Sequence, residues 1–327
     1  MKTNLLPTVA LATAVVTLAF GLPAQAQTKW DMPMAYPATN FHTINAQKFA
    51  DAVKAGSGGK LEITLHPNGS LFKANEIKRA VQTGQAQIGE VLMVNLENED
   101  PIFGADGVPF LATDFAASKK LADAAKPVVA KKLTAWGLTL MYTVPWPPQG
   151  IYTNKPIETI KDMEGLKWRA YSPATSRMGE LIKAQPVVIQ AAELSQALST
   201  GKVNSFVSSG STGVDAKVWE QLKYFYDTKA WLPKNMVIVN NDALAKLDKA
   251  TQDVLIAEAK KAETAGWAES QNLAQGYLDT LAKNGMQVQP PSPKLKEELA
   301  AMGKIMTDEW IKKAGADGEA VVSAYRK

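Results

Sequence analysis

The stretch GLKWRAYSPATS, Gly165 to Ser176, reads as a short strand followed directly by a helix. Large apolar and aromatic side chains recur over Leu166–Tyr171, which predicts a strand. The serine-proline pair that follows is typical of a helix start, and a helix is predicted over Thr175–Lys183. A strand that leads into a helix is the repeating unit of an α/β fold, so this stretch predicts that fold class.

The same alternation of strand-like and helix-like stretches continues along the chain. The strand-like runs are Trp30–Tyr36, Leu61–His66, Gln87–Val94, Leu138–Val144, Gly150–Thr153, Leu166–Tyr171, Val187–Gln190, Val203–Ser208 and Met236–Asn240. The amphipathic stretches with helical spacing are Asn40–Ala55, Lys73–Thr83, Phe115–Trp136, Thr175–Lys183 and Glu193–Thr200. This order predicts α/β layers with mostly parallel sheets.

Two segments interrupt this pattern and indicate a division into two lobes. Pro145–Pro148 breaks a strand-like run that resumes at Gly150, so the chain must leave one sheet or bend sharply there. Asn235–Asn241 reads as a strand that returns from the second lobe. Ala243–Asn284, broken only near Asp248–Thr251, reads as one long helix or two joined helices. A helix of about 30 residues would be about 45 Å long and could brace both lobes, whereas a coiled coil would need heptads that do not persist.

Arg169 is one of four arginines among 36 basic residues, and the strand prediction makes it a buried one. It shares a strand face with Tyr171, while Trp168 points to the other face and is expected in the core. A buried charge without a partner is costly, so an anion must meet this guanidinium. Two partners are open: an internal Asp or Glu, or a ligand carboxylate held by two parallel hydrogen bonds. Free backbone N–H groups at Tyr171–Ser176, where the chain leaves the strand, and at Asn204–Gly213, which ends another strand the same way, favour an anion at this edge of the sheet.

Residues 1–26 have the pattern of a cleavable signal peptide. Lys2 supplies a positive start, Leu11–Leu22 is an apolar run, and Ala24–Ala26 is a small-residue cleavage pattern. The run is shorter than the ~20 residues that span a bilayer; a helical N-terminus of the folded chain is the alternative. Since there is also no cysteine for a disulfide or a lipid anchor, we expect a soluble protein outside the cytoplasm that begins near Gln27.

Charge and motifs argue against several other classes of protein. Without Lys2 the chain has 35 basic and 32 acidic residues, spread without a basic stripe, so no nucleic-acid partner is expected. The two histidines, His42 and His66, are expected at the surface or at a helix cap, and no metal site is predicted. Nucleophile-elbow, Walker and dinucleotide motifs are absent from the sequence, and Gly56–Gly59 stands after a helix and before a strand, the reverse of a phosphate-binding loop. We therefore expect no enzyme activity, no catalytic residue and no cofactor.

Several motifs in a fixed order extend over nearly all of residues 27–327. They are Phe49–Val53 with Gly59–Ile63, Pro67–Leu71, Val108–Leu111, Thr153–Ile157, Asp162–Arg169 and Ala192–Val203. In this order and spacing, the chain resembles the substrate-binding proteins of the tripartite ATP-independent periplasmic (TRAP) transporters, a family of dicarboxylate-binding and sialic-acid-binding proteins.

The resemblance implies an α/β, two-lobed, periplasmic-binding-protein-like fold with a long C-terminal helix bridging the lobes. The first lobe would comprise residues 27–146 plus about 235–274, and the second lobe residues 147–234 plus about 275–327. Such a protein works in the periplasm, closes on an organic acid and delivers it to the permease subunits of a TRAP transporter. We expect a monomer that meets the membrane only through that permease. Service to a sensor kinase or to an ATP-driven importer is the alternative.

The resemblance also implies roles in ligand binding for three polar residues. The family's arginine after a Gly-Leu-Lys-x motif grips the ligand carboxylate, and this residue is Arg169 here. An asparagine that often assists it falls by position on Ser208, a shorter partner. Sialic-acid binders carry a further arginine where this chain has Gln149, whose neutral amide can donate a hydrogen bond but cannot clamp a second carboxylate. One dominant carboxylate on the ligand is therefore expected.

Apolar side chains in segments that line the cleft in relatives complete the predicted site. They are Leu92, Met93, Trp146, Tyr171, Tyr36 and Trp231. They predict an aromatic or otherwise partly apolar monocarboxylate, with 2-oxo and hydroxy acids included, in preference to a C4-dicarboxylate or a sugar acid. Packing between the lobes is the alternative role of the aromatic residues.

Overall fold

The computed structural model describes residues 27–327. The predicted signal peptide, residues 1–26, lies outside the described residues. The described chain contains one two-stranded, one three-stranded and one six-stranded sheet. None of its helices combines the length and the hydropathy needed to cross a bilayer.

Strands and helices alternate over most of this range. The strands are β1 (Thr28–Pro33), β2 (Leu61–His66), β3 (Ile88–Leu92), β4 (Leu138–Pro145), β5 (Gln149–Thr153), β6 (Lys167–Ala170), β7 (Gln185–Val188), β8 (Ser205–Ser209), β9 (Tyr224–Tyr226), β10 (Lys234–Asn240) and β11 (Gln287–Gln289). The α-helices are α1 (Phe41–Gly56), α2 (Ile77–Gln82), α3 (Phe115–Ala135), α4 (Pro173–Leu181), α5 (Leu194–Ser199), α6 (Gly210–Asp215), α7 (Asn241–Ala245), α8 (Lys249–Lys283) and α9 (Pro293–Arg326).

The first lobe is built on the two smaller sheets. β1 and β2 pair in parallel, with Thr28 opposite Leu61, and α1 connects them. Asn40 caps α1, since its side chain accepts a hydrogen bond from the His42 backbone N–H at 2.9 Å. β10 is the central strand of the second sheet, between β3 and β4, and each of its residues is buried. Apolar side chains of both sheets and of α1 and α3 form one continuous core.

The six-stranded sheet forms the second lobe and has the order β11-β9-β5-β8-β6-β7. Side chains alternate along β5 and β8, so that Ile151 and Val207 pack in a core on one face. Tyr152 and Phe206 pack in another core on the opposite face. Because both faces are covered, every residue of β5 and β8 is buried.

The chain crosses between the lobes in two segments that lie side by side. β4 leads through Trp146–Pro148 into β5, and the returning segment leads from β9 into β10. The Trp146 N–H donates to the Pro233 carbonyl at 2.8 Å, and the Gln149 N–H donates to the Trp231 carbonyl at 3.0 Å. Because a returning strand runs opposite to the outgoing strand beside it, β10 is antiparallel to β4, and β9 is antiparallel to β5. The expectation of mostly parallel sheets is therefore wrong: half of the strand pairings in the described chain are antiparallel.

Helix α8 has 35 residues, which corresponds to about 52 Å at 1.5 Å per residue. Its Leu255 lies in the core of the first lobe, whereas Leu281 lies in a core of the second lobe. Gly266 allows α8 to pack directly on β4, because a Cβ atom at this position would lie 2.4 Å from Val144 Cγ2. The predicted long helix that bridges the lobes is confirmed.

Helix α9 also contacts both lobes, which was not predicted. Leu295 and Leu299 pack with the six-stranded sheet, whereas Trp310 and Val321 lie in the core of the first lobe. Between Trp310 and Val321, Gly315 has φ 57° and ψ −138°, a backbone conformation that glycine adopts readily and that changes the direction of the helix. This packing differs from the predicted placement of residues 275–327 in the second lobe alone.

Candidate functional site

A cavity lies between the lobes, beside the two crossing segments. The residues that line it are Ala35, Tyr36, Ala74, Glu90, Val91, Leu92, Asn95, Trp146, Gln149, Arg169, Tyr171, Gln190, Ala191, Ser208, Thr212 and Pro233. β3 of the first lobe and β5, β6 and β8 of the second lobe supply residues to its wall. Seven of the nine predicted site residues therefore surround one cavity.

Arg169 lies on β6, between β7 and β8, with 3 % of its surface exposed. Its Nε donates to the Ile189 carbonyl at 2.9 Å, and its guanidinium carbon lies 4.9 Å from the centre of the Tyr171 ring. Within residues 27–327, none of the ion pairs closer than 4.0 Å includes Arg169. Burial lowers the pKa of Arg169 to about 10, so the guanidinium is charged at neutral pH. The site thus presents a buried positive charge that no carboxylate of the described chain neutralises by direct contact.

The backbone N–H groups after β6 are occupied within the protein. Thr175 Oγ1 accepts hydrogen bonds from the N–H groups of Tyr171 and Ser172, both at 2.9 Å. Ser172 Oγ in turn accepts from the Thr175 N–H at 3.2 Å, which completes a capping box at the start of α4. The expectation that these N–H groups are free for an anion is therefore wrong, and Arg169 remains the anion-binding group on β6.

Gln149 and Tyr171 form a pair at the cavity wall. The Tyr171 hydroxyl donates to Gln149 Oε1 at 3.2 Å, and Gln149 Nε2 donates to the Pro147 carbonyl at 3.0 Å. Gln149 thus orients the Tyr171 ring that lies beside Arg169. Ser208 is buried on β8, opposite Gly150 of β5, and also lines the cavity.

Aromatic side chains from the first lobe and the crossing segment cover the opposite wall. The rings of Tyr36 and Trp146 meet edge to face, with centroids 4.7 Å apart. Trp146 Nε1 donates to Asn235 Oδ1 at 2.9 Å, which fixes the indole at the crossing. Leu92, at the end of β3, adds an aliphatic surface to the same cavity.

Met93 and Trp231 lie outside the cavity, contrary to prediction. Leu92 has extended backbone angles, and adjacent side chains of an extended chain point to opposite sides. Met93 accordingly faces away from the cavity, toward a separate groove under α3 and α8 that Thr143 and Trp267 also line. Trp231 pairs its carbonyl with the Gln149 N–H and packs in a core of the second lobe.

Glu90, on β3, lines the cavity and was not predicted from the sequence. It is 1 % exposed, and its Oε1 accepts a hydrogen bond from Asn235 Nδ2 at 2.9 Å. Burial raises the pKa of Glu90 to about 8, although the Asn235 hydrogen bond acts in the opposite direction. The signal that could have identified it is a single acidic residue inside the otherwise apolar strand IGEVL.

His42 is buried rather than exposed, so its expected surface position is wrong. Its ring lies 4.3 Å from the Trp146 ring, and its Nδ1 lies 3.9 Å from Glu90 Oε2. Burial holds the pKa of His42 well below its usual range, so the imidazole is neutral. His66 pairs with Asp31 at 2.7 Å in an exposed position, as expected.

The arrangement is suited to holding a small anion. Arg169 offers charge-assisted hydrogen bonds to a carboxylate, and the remaining wall combines apolar side chains with a few uncharged polar groups. In the part of the chain that the structure describes, no group of three or more His, Cys, Asp or Glu side chains could hold a metal ion.

Comparison with known proteins relates the chain to solute receptors. Residues 33–313 match the family described as bacterial extracellular solute-binding protein, family 7 (DctP). DctP6 of Bordetella pertussis, an extracytoplasmic solute receptor binding pyroglutamic acid, is 56% identical, with a TM-score of 0.90 over 91% of this chain and 99% of that chain. A marine-metagenome TRAP solute-binding protein specific for pyroglutamate is 48% identical, with a TM-score of 0.90 over 92% and 99% of the two chains. The C4-dicarboxylate-binding periplasmic protein DctP of Rhodobacter capsulatus is 26% identical over 85% of each chain.

Proposed function

The chain belongs to family 7 of the bacterial extracellular solute-binding proteins, the TRAP solute receptors, and on that basis we propose that it captures a small organic acid by lobe closure. The Arg169 guanidinium binds the ligand carboxylate, and the first lobe folds over the rest of the molecule. The closed receptor then delivers the ligand to the permease of a TRAP transporter. The ligand leaves chemically unchanged.

The proposal depends on one observation, the buried position of Arg169 without a contacting carboxylate from the described residues. A buried cation is unfavourable unless an anion compensates it, and the described chain supplies no carboxylate in contact with it. A ligand carboxylate would supply that anion on binding, through two parallel hydrogen bonds that match the guanidinium. The alternative of an internal Asp or Glu partner has no support from the contacts of the described residues.

The ligand we propose is a partly apolar monocarboxylate that carries a ring, and pyroglutamate is the first candidate. Arg169 is the one cationic side chain among the lining residues, which suits one carboxylate rather than two. Leu92, Val91 and Trp146 offer apolar contact to a ring. The two receptors that are 56% and 48% identical bind pyroglutamate according to their descriptions, which favours a saturated ring over an aromatic one. A C4-dicarboxylate would leave its second carboxylate without a cation.

Closure is proposed to rotate the lobes about the two crossing segments. Trp146 and Pro233 belong to these segments and also line the cavity, so that movement of the hinge and contact with the ligand involve the same residues. Asn40 of the first lobe donates to Asp215 of the second lobe at 2.6 Å. We propose that this contact stabilises the closed form. The ligand drives closure only as far as it binds the closed form better than the open form.

The place of action we propose is the periplasm, after cleavage of residues 1–26, and the protein acts as a monomer. Members of the family are periplasmic or extracytoplasmic receptors, which supports this location. The membrane partner would be a TRAP permease with a small and a large subunit. Genes for these two subunits beside the gene of this chain would favour that partner over a sensor kinase or an ATP-driven importer.

The test is binding of defined acids to the mature protein, measured by calorimetry and by thermal unfolding. Pyroglutamate at 100 times its Kd should add about 2.7 kcal/mol to the free energy of unfolding and raise Tm by a few degrees. Pyroglutamide, which lacks the carboxylate, is the control and should produce no shift. Succinate and phenylpyruvate test the dicarboxylate and aromatic alternatives. Absence of any shift across such a panel would overturn the proposal, and loss of the added acid over time would indicate an enzyme instead.

A further inference from the structure

Glu90 is the one carboxyl group among the residues that line the cavity. It belongs to β3 of the first lobe, whereas Arg169 belongs to β6 of the second lobe. A ligand that fills the cavity therefore meets a guanidinium on one side and a carboxyl group on the other. Arg169 accounts for a ligand carboxylate, and the role of Glu90 requires a different chemical group.

The Glu90 carboxyl is held by a chain of hydrogen bonds from the crossing segments. Asn235 Nδ2 donates to Glu90 Oε1 at 2.9 Å, and Asn235 Oδ1 accepts from Trp146 Nε1 at 2.9 Å. The amide of Asn235 is thereby oriented with its donor toward Glu90. A side chain that is 1 % exposed and held in this way has a fixed position at the cavity wall. Such positioning is what recognition of a specific ligand group requires.

The groups around Glu90 favour its neutral form. His42 on α1 has its Nδ1 3.9 Å from Glu90 Oε2, and it is itself buried and neutral. The hydroxyl groups of Tyr36 and of Tyr142 on β4 are uncharged, because burial raises the pKa of both. Arg169 makes no ion pair with Glu90 within 4.0 Å. A buried carboxylate without a cation partner is costly, so the carboxyl retains its proton near neutral pH.

Charge balance points in the same direction. A ligand carboxylate neutralises Arg169 when it binds. An ionised Glu90 would then leave one uncompensated negative charge in a closed cavity, whereas a protonated Glu90 leaves none. A protonated carboxyl group also presents one acceptor and one donor side by side.

We propose that Glu90 is the specificity-determining residue of this receptor and that its carboxyl group binds the amide edge of a lactam ring whose carboxylate is held by Arg169. This inference rests on the proposed function. In a five-membered lactam the amide is cis, so its N–H and C=O point to the same side of the ring. The lactam N–H donates to the carbonyl oxygen of Glu90, and the Glu90 hydroxyl donates to the lactam C=O. Both hydrogen bonds form without proton transfer between Glu90 and the ligand.

The pairing predicts discrimination between rings of the same shape. In 5-oxotetrahydrofuran-2-carboxylate an ester oxygen replaces the ring N–H of pyroglutamate, so the hydrogen bond to the carbonyl oxygen of Glu90 cannot form and two oxygen atoms face each other in a buried site. Sites built to hydrogen-bond a ligand group reject analogues that lack it much more strongly than apolar pockets reject a missing methylene. We expect pyroglutamate to bind at least tenfold more tightly than this lactone.

The experiment is calorimetric titration of the wild type, Glu90→Gln and Glu90→Met with both ligands at pH 6.5. Glutamine keeps one acceptor and one donor at the same position, so Glu90→Gln should hold the Kd for pyroglutamate within about threefold of the wild type. Methionine removes both groups, so Glu90→Met should weaken pyroglutamate at least tenfold and change the lactone much less. The comparison of the two ligands on the wild type needs no variant and stands even if Glu90→Met fails to fold.

A pH series separates the neutral acid from an ionised one. Because the ligand binds the protonated form, the affinity of the wild type for pyroglutamate should fall as pH rises through about 8 toward 9. The affinity of Glu90→Gln should stay constant over the same range. Equal affinity of the wild type for lactam and lactone, or an unchanged lactam Kd in Glu90→Met, overturns this inference and leaves the proposed function intact. Failure of the wild type to bind pyroglutamate at all overturns both.

Discussion

Replacing Arg169 by methionine separates the two roles that a buried guanidinium can have. If Arg169 holds a ligand carboxylate, the variant loses two charge-assisted hydrogen bonds. Hydrogen bonds to charged groups contribute about 1.5–3 kcal/mol each, so the loss is about 3–6 kcal/mol, or on the order of 10²–10⁴-fold in Kd. Arg169→Lys should also bind poorly, because an ammonium group lacks the planar fork.

The stability of the unliganded variant should change little. Burial lowers the pKa of Arg169 from 12.5 to about 10, which corresponds to a destabilisation of about 3 kcal/mol that methionine removes. Methionine also loses the hydrogen bond to the Ile189 carbonyl and the contact with the Tyr171 ring, together about 2–3 kcal/mol. The two effects offset each other, and the net change should stay within about 1 kcal/mol. Breaking an internal buried ion pair would instead cost about 3–5 kcal/mol.

Urea unfolding without ligand and calorimetric titration with pyroglutamate measure the two quantities. Arg177→Met is the matched control, since Arg177 pairs with Glu309 and Glu180 in exposed positions outside the cavity. This control should bind like the wild type. A drop of 3 kcal/mol or more in unliganded Arg169→Met would establish an internal partner and refute the reasoning. Binding by that variant within tenfold of the wild type would refute it as well.

Three further predictions concern the closure contact, the cavity wall and the buried acid. Asn40→Ser keeps a cap for α1 but removes the 2.6 Å hydrogen bond to Asp215 across the lobes. Pyroglutamate should then bind about fivefold more weakly, although neither residue lines the cavity; an unchanged Kd would show that closure does not use this contact. Tyr171→Phe removes the hydrogen bond to Gln149 Oε1 and should lower the free energy of unfolding by about 1 kcal/mol in urea, whereas a loss as large as that of a core truncation would contradict this role. Burial raises the pKa of Glu90 from 4.5 to about 8, so the folded protein retains a proton that the unfolded chain releases. The free energy of unfolding of the wild type should therefore fall as pH rises from about 4.5 to 8. Glu90→Gln should lack this part of the pH dependence, and an equal pH dependence in both proteins would show that Glu90 is ionised.

Most of the fold could be predicted because local patterns and tertiary contacts agree in this chain. Each predicted strand-like run overlaps a strand, although Val187–Gln190 shares only two residues with β7. The break near Asp248–Thr251 is confirmed, because Asp248 caps α8 just after α7 ends. The short strands β9 and β11 were missed, since Tyr224–Tyr226 and Gln287–Gln289 have too few residues to show alternation. The antiparallel pairings were missed because strand direction depends on how the two crossings lie beside each other.

The candidate site could be predicted in part. Arg169 was identifiable because a rare residue type stood in a strand pattern where a charge needs a partner. Glu90 was missed although it is the one acidic residue in the strand IGEVL. His42 could not be identified, since its burial follows from the packing of Trp146 of the crossing segment against the first lobe. Met93 was assigned to the wrong side because Leu92 and Met93 were both placed at the cavity, whereas adjacent side chains of the extended chain at Leu92 point to opposite sides.

The contact between Gly266 and Val144 has a mechanical consequence. The two ends of helix α8 pack in different lobes, and its middle packs on β4, the strand that leads into the proposed hinge. If the lobes separate about the proposed hinge, α8 must bend. Part of the free energy of opening is then the elastic energy of this helix, which does not depend on the chemistry of the ligand. A residue bulkier than glycine at position 266 would move α8 away from β4. It would thereby change the angle between the lobes in the unliganded protein, even though every side chain that contacts the ligand stayed the same.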